Sequence, residues 1–420
     1  MKLRLISRPA NVAGRLLAGF FLLLGTLAFA ATENVDQILQ HADQIKYIHN
    51  DEYLAVLQRL DAQSDSLTRL QRDWLAYFHA WQLGYAGEYE TALGAFQALL
   101  AHTQDPTIRA RSRISLIYDQ VNAARLDDAY ITMSDLLESQ PQIEDHNAHF
   151  LILATAAELY SNAGQYNLAL SYVDQMLAYD SSDRSVCLAL NTHARILYEQ
   201  GKLTVSDPSA IRGIETCDGY GDALHANGVR INVALAQIDQ GHAADALKLL
   251  KPHDAEVLAT GSAATISEFR SALARAYFAT GSLDEARRAA QSAIGFANTQ
   301  TNARSVASAY EVLYQVAKRQ GDDAAALAWH EKYAAADKAY LNDVSARALA
   351  YQMVHQRVLD NQRRLEAAND ANKVLALQQT IATQKARTRL LYMLLLLSGL
   401  LIVGGWAYRT KRSQIKFQKL

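Results

Sequence analysis

Three patterns of apolar and polar positions divide this chain. The first is an apolar run from Leu16 to Phe29 that follows Lys2, Arg4, Arg8 and Arg15 and ends on Ala28-Phe29-Ala30, small residues at −3 and −1 of a cut. This is the pattern of a secretory signal peptide, residues 1–30, cleaved after Ala30. The second is LLYMLLLLSGLLIVGGWAY, residues 390–408, uncharged and flanked by Lys385, Arg387 and Arg389 before it and Arg409, Lys411 and Arg412 after it. At about 1.5 Å per residue it reaches roughly 29 Å, the depth of a bilayer's hydrocarbon core, and it predicts one transmembrane helix. Positive charge without any acid in the tail, residues 409–420, places that tail in the cytoplasm and the preceding chain outside.

The third pattern repeats. YAGEYETALGAF returns in skeleton as NAGQYNLALSYV, DQGHAADALKLL, ATGSLDEARRAA and RQGDDAAALAWH. Gly87, Gly164, Gly241, Gly281 and Gly321 are each followed at +5 by an alanine: Ala92, Ala169, Ala246, Ala286 and Ala326. Ala124 with Ala129 fills the same slot, Asn50 with Ala55 fits it weakly, and Gly201 falls on the grid although TVSDPS interrupts the second helix there. A glycine accepts the positive φ that closes a tight turn between helices, and a small residue early in the next helix lets the two approach. Ala80, Ala157, Ala194, Ala234 and Ala274, seven before their glycines, supply small residues on the facing helix. Tyr160 and Tyr277, four before theirs, are expected to pack across the hairpin.

Stacked helical hairpins on this grid resemble the tetratricopeptide repeat family over about residues 35–334. The spacing here is near 40, against 34 in that family, so the helices or their connections must be longer. The resemblance implies a superhelix whose concave face takes a peptide or protein. Composition agrees with an all-α fold: half of the 420 residues are apolar, a fifth are charged and only five are proline. Beyond the solenoid of residues 31–334, Leu341, Val344, Ala348, Tyr351, His355, Val358, Gln362 and Leu365 recur in steps of three and four. The seam then resumes in a shifted frame at Val374, Leu377 and Ile381. With no Gly or Pro between 322 and 397, residues 335–389 are expected to form a continuous helical stalk, either a loose coiled-coil homodimer or a single solvated helix leaning on the solenoid.

Charge and chemistry narrow the function. A net charge of −2 offers nothing to a nucleic acid. The chain lacks GxxxxGK[ST], HExxH, GxSxG and CxxC, and we expect no catalytic residue, no metal and no cofactor. His146 and His149 sit at i, i+3 without a third ligand, and Arg109, Arg111 and Arg113 read as a solvated helix face. Cys187 and Cys217, both in the exported portion, are a candidate disulfide around the irregular TVSDPSAIRGIET stretch.

The order of signal peptide, helical repeats, Gln- and Arg-rich stalk (HQRVLDNQRRLEAANDANKVLALQQTIATQKARTR), one span and basic RSQIKFQKL tail is similar to the sensor half of tetratricopeptide-containing diguanylate cyclases. In that family such a tail leads into a cyclase domain, whose GGDEF signature this chain does not contain. The resemblance implies a periplasmic input module in the inner membrane of a bacterium that relays ligand binding through the stalk. Two alternatives stand beside it: the input half of a cyclase whose catalytic domain is missing, and an envelope scaffold.

Overall fold

The computed structural model describes residues 34–46, 50–297 and 303–417; the signal peptide expected over residues 1–30 and the last three residues lie outside them. Every regular element among the described residues is helical. In chain order these are α1 (Val35–Ile45), α2 (Asn50–Asp61), α3 (Arg69–Tyr85), α4 (Tyr89–His102), α5 (Pro106–Asn122), α6 (Leu126–Ser139), α7 (His146–Asn162), α8 (Tyr166–Tyr179) and α9 (Asp183–Glu199). They continue as α10 (Pro208–Tyr220), α11 (Ala223–Asp239), α12 (Ala243–Leu250), α13 (Asp254–Ala259), α14 (Ala263–Ala279), α15 (Leu283–Phe296), α16 (Ala303–Arg319) and α17 (Asp323–Phe417).

The grid is a run of antiparallel hairpins. The first helix of each unit, namely α3, α5, α7, α9, α11, α14 and α16, is 17 residues long. The partners α4, α6, α8 and α15 each have 14. Helices of this length, with their connections, fill the long repeat spacing. Each turn is closed the same way. Gly87, Gly164, Gly201, Gly241, Gly281 and Gly321 take φ between 66° and 86°, and Ala124 takes φ 58° in the equivalent place. The residue after each donates its N–H to the carbonyl five residues back, from Glu88 to Leu83 at 2.9 Å through to Asp322 to Ala317 at 3.1 Å. This bond satisfies a helix-end carbonyl that would otherwise have no partner.

Hairpin faces meet through alanine. Ala80, Ala157, Ala194, Ala234 and Ala274 are fully buried, as are Ala92, Ala129, Ala169, Ala246 and Ala286, and Ala326 is nearly so. Side chains of one methyl let the paired helices pack closely. The core is aromatic at one end, with Tyr53, Phe78 and Phe96, and alanine-rich at the other. Helix starts are fixed by side-chain caps: Thr68 and Gln71 form a reciprocal capping box on α3, and Asp105 and Asp207 cap α5 and α10 ahead of a proline at the first turn.

Two units depart from the rule. After Gly201 the TVSDPS insertion delays α10 to Pro208. After Gly241 the second helix breaks into α12, a 3₁₀ turn at Lys251–His253 and α13, because Pro252 removes a backbone donor. The chain resolves into two compact units, one ending at Tyr351 and one from Gln352 onward. The helix α17 begins at Asp323, so the second helix of the last hairpin and the expected stalk are one element. Among the described residues it is the one helix long and apolar enough to cross a membrane, with mean hydropathy 2.1 over its most apolar stretch, none of it buried.

Candidate functional site

Curvature of the hairpin array brings distant units together on its inner face. Arg304, near the start of α16, pairs with Glu199 at the end of α9, three hairpins earlier. The same guanidinium lies 5.1 Å from the centre of the Tyr198 ring. Tyr198 donates to Asp239 Oδ2 at 3.1 Å, and Arg275 of α14 reaches Asp239 Oδ1 at 2.5 Å. Burial alone would lower the Arg304 pKa, but Glu199, Tyr198 and Tyr340 together outweigh it and the guanidinium is held charged. Glu268 faces water yet is ringed by protein, and this crowding pushes its carboxyl upward despite Arg195 and Arg304. Tyr340 of α17 enters the field of Arg304 and Glu199, and its phenol is raised first by burial.

Beside this network four tyrosines from four helices form a cradle. Tyr130 of α6 stacks on Tyr160 of α7 at 6.4 Å, and Tyr160 stacks on Tyr172 of α8 at 5.6 Å. Tyr351 of α17 closes the group edge-on, 5.8 Å from Tyr130 and 5.7 Å from Tyr160. Tyr130 is 3% exposed, and its hydroxyl has no hydrogen-bond partner among the described residues. Burial raises both the Tyr130 and Tyr160 phenols, so they stay protonated. Edge-to-face pairs contribute about 0.5–1.5 kcal/mol each, so the two made by Tyr351 hold it by roughly 1–3 kcal/mol. An orphaned buried hydroxyl costs about 1–3 kcal/mol and offsets that gain.

The residues singled out in the sequence sit elsewhere. The turn glycines and packing alanines build the hairpins. Cys187 and Cys217 are fully buried and joined, with Sγ–Sγ 2.05 Å, tying α9 to α10. Asp222 and His225 lie beside Cys187, but a sulfur already in a disulfide offers no thiolate to a metal. His146 and His149 both stack on Tyr179, at 4.6 and 4.2 Å.

The solvated face expected at Arg109, Arg111 and Arg113 is corrected. Arg111 is buried, pairs with Asp43 Oδ2 at 2.6 Å and lies over Trp74. Lys46, only 3% exposed, joins the same carboxyl from α1's C-terminal end at 2.8 Å and donates to the Tyr77 hydroxyl at 3.0 Å. Burial would raise Asp43, but Lys46 and Arg111 together hold its carboxyl below the usual range. Arg109 donates to the carbonyls of Leu100 and Thr103, closing the end of α4. Arg111 thus joins the first hairpin to the array, while Arg109 and Arg113, which donates to Ser139 Oγ at 3.3 Å, tie α5 to the ends of α4 and α6.

A Ser–His–Asp set also occurs, in the wrong order for catalysis. Ser209 Oγ donates to Asp207 Oδ1 at 2.5 Å and lies 2.8 Å from His193 Nδ1. The serine proton points at the helix-capping carboxylate, so the imidazole is not the base that would activate the oxygen. No local pattern groups the four tyrosines of the cradle, because they come from four separate helices. Their one signal in the sequence is the count, 21 tyrosines against 10 phenylalanines.

No protein-family profile matches the chain, and no curated protein matches it. Among solved structures it is similar to a Rap protein complexed with competence and sporulation factor, at 11% identity over 71% of this chain and 99% of that one, TM-score 0.45. It is similar to a tetratricopeptide repeat protein from Parabacteroides merdae ATCC 43184, at 13% identity over 65% and 98%, TM-score 0.45. A third is NprR in complex with its cognate peptide NprX, at 11% identity over 71% and 87%, TM-score 0.44. The chain's own hairpins define it as an all-α, tetratricopeptide-like repeat protein.

Proposed function

We propose that this chain is a non-catalytic, membrane-anchored interaction module. Its solenoid works in a bacterial periplasm, where it binds a peptide or protein on the inner face and passes that event to its terminal helix. One observation carries the reading. A single helix, α17, supplies Tyr340 and Tyr351 to the inner face and also contains the apolar stretch. A ligand that moves the first part of this helix acts on the element that we place in the bilayer. Basic residues on both sides of residues 390–408 fit a span with its tail in the cytoplasm. The buried disulfide fits an oxidising compartment. Exposed Leu365, Leu377 and Ile381 form the seam along which a second copy would pair loosely.

The test uses the full chain with a C-terminal tag in a bacterial host. Alkaline carbonate is expected to leave the chain in the membrane pellet, and protease added to spheroplasts to remove the solenoid while sparing the tag. Release by carbonate, or loss of the tag from outside, would overturn the reading. A second reading adds a diguanylate cyclase to the same input half. The helical continuation past the apolar run to Phe417 favours it, since a plain anchor needs only charge there. The mass of the product made in its native cell separates the two.

A further inference from the structure

Of the four tyrosines, Tyr130, Tyr160 and Tyr172 make the walls of the cradle and Tyr351 is its occupant, which describes what else would fit. Residues 340–351 of α17 cross from the field of Arg304 and Glu199 to the rings of Tyr130 and Tyr160. Tyr351 contributes an edge-on ring, and Ala350 just before it is 4% exposed, so the helix backbone sits close to its support. Ring contact and the buried Ala350 and Val354 hold the segment at this end, over a Tyr130 hydroxyl without a hydrogen-bond partner among the described residues. An arrangement fixed for structure alone would satisfy that hydroxyl or replace it with phenylalanine. Here the patch is filled by a segment of the same chain and is open to competition by a ligand that also satisfies the Tyr130 hydroxyl.

We propose that the cradle of Tyr130, Tyr160 and Tyr172 is a recognition site for a helical peptide presenting an aromatic side chain next to a small one, and that residues 340–351 are its built-in competitor. A partner peptide placing its ring where Tyr351 lies, with a hydrogen-bond acceptor for the Tyr130 hydroxyl, displaces residues 340–351 and leaves the hairpin helix that begins at Asp323 in place. The proposal rests on the interaction reading above. It requires neither membrane insertion nor periplasmic location, so a failure of the extraction or protease test leaves it standing.

The experiment measures fluorescence anisotropy of a labelled synthetic peptide copying residues 340–355 against the full chain in detergent micelles. The unaltered chain, its cradle filled, is expected to bind weakly. Tyr351→Ala is expected to bind the peptide at least tenfold more tightly, and adding Tyr172→Ala on the half-buried edge of the cradle removes that gain. A peptide carrying alanine in place of its own Tyr351 loses at least tenfold, an arm that needs no further change in the protein. Equal binding by the unaltered chain and Tyr351→Ala, or undiminished binding of the alanine peptide, overturns the proposal.

Discussion

Replacing Asp119 by asparagine is expected to stabilise the protein, and by an amount that grows with pH. Asp119 lies on α5, is 6% exposed, and packs its carboxyl against Gly84 of α3, so closely that a Cβ at Gly84 would collide with Asp119 Oδ1. Burial pushes its pKa from 3.8 up to about 7. The end of α3 beside it presents carbonyls rather than N–H groups, which gives an anion no relief. Because the folded pKa is raised, this group's stability is fully present below about pH 4 and is lost as pH rises to about 7. At about 1.36 kcal/mol for each pH unit between those two values, the cost reaches ~4 kcal/mol above pH 7 and falls to roughly 1.5 kcal/mol near pH 5. Asp119→Asn removes the charge and keeps the shape. Thermal melts of the two chains should therefore separate widely at about pH 8 and narrow towards pH 4. A difference in Tm that is the same at both pH values would refute the reasoning, as would an asparagine variant less stable at pH 8.

Two further outcomes rest on local chemistry. Ala124 holds φ 58° where the other hairpin turns use glycine, a conformation costing an L residue roughly 1–2 kcal/mol, so Ala124→Gly should gain up to about 1 kcal/mol by thermal melt once glycine's extra chain entropy is subtracted. Cys187→Ser with Cys217→Ser opens a crosslink spanning 30 residues and should cost about 3–4 kcal/mol, and reductant should lower the Tm of the parent but not of the double variant.

The hairpins are legible in the sequence because their determinants are local. A positive-φ residue and an alanine five positions later specify a turn and a close approach without help from elsewhere, and Ala124 takes its place on the grid from its alanine partner alone. The break at Pro252 is legible in principle, since proline cannot continue a helix, yet the repeat pattern around Gly241 masks it. The tyrosine cradle is not legible. Tyr130, Tyr160, Tyr172 and Tyr351 are spaced along more than 200 residues, and only the curvature of the array brings them together. Arg111 misleads for the same reason, its partner Asp43 lying 68 residues away. Local pattern reads backbone conformation well and reads the destination of a long side chain poorly.

Repeat arrays usually behave as one-dimensional stacks in which each unit feels only its neighbours, so units can be added, removed or melted one at a time. The ion pair between Glu199 and Arg304 breaks that independence. It ties two units that are not neighbours, turning the stretch from α9 to α16 into a loop closed by side chains. Between partly exposed groups the pair adds at most about 1 kcal/mol of coupling between α9 and α16. Excising the hairpin that begins with α11 would leave both cut ends able to stack, and would still move Arg304 out of register with Glu199. The number of repeats between those two residues thus decides whether this pair can form.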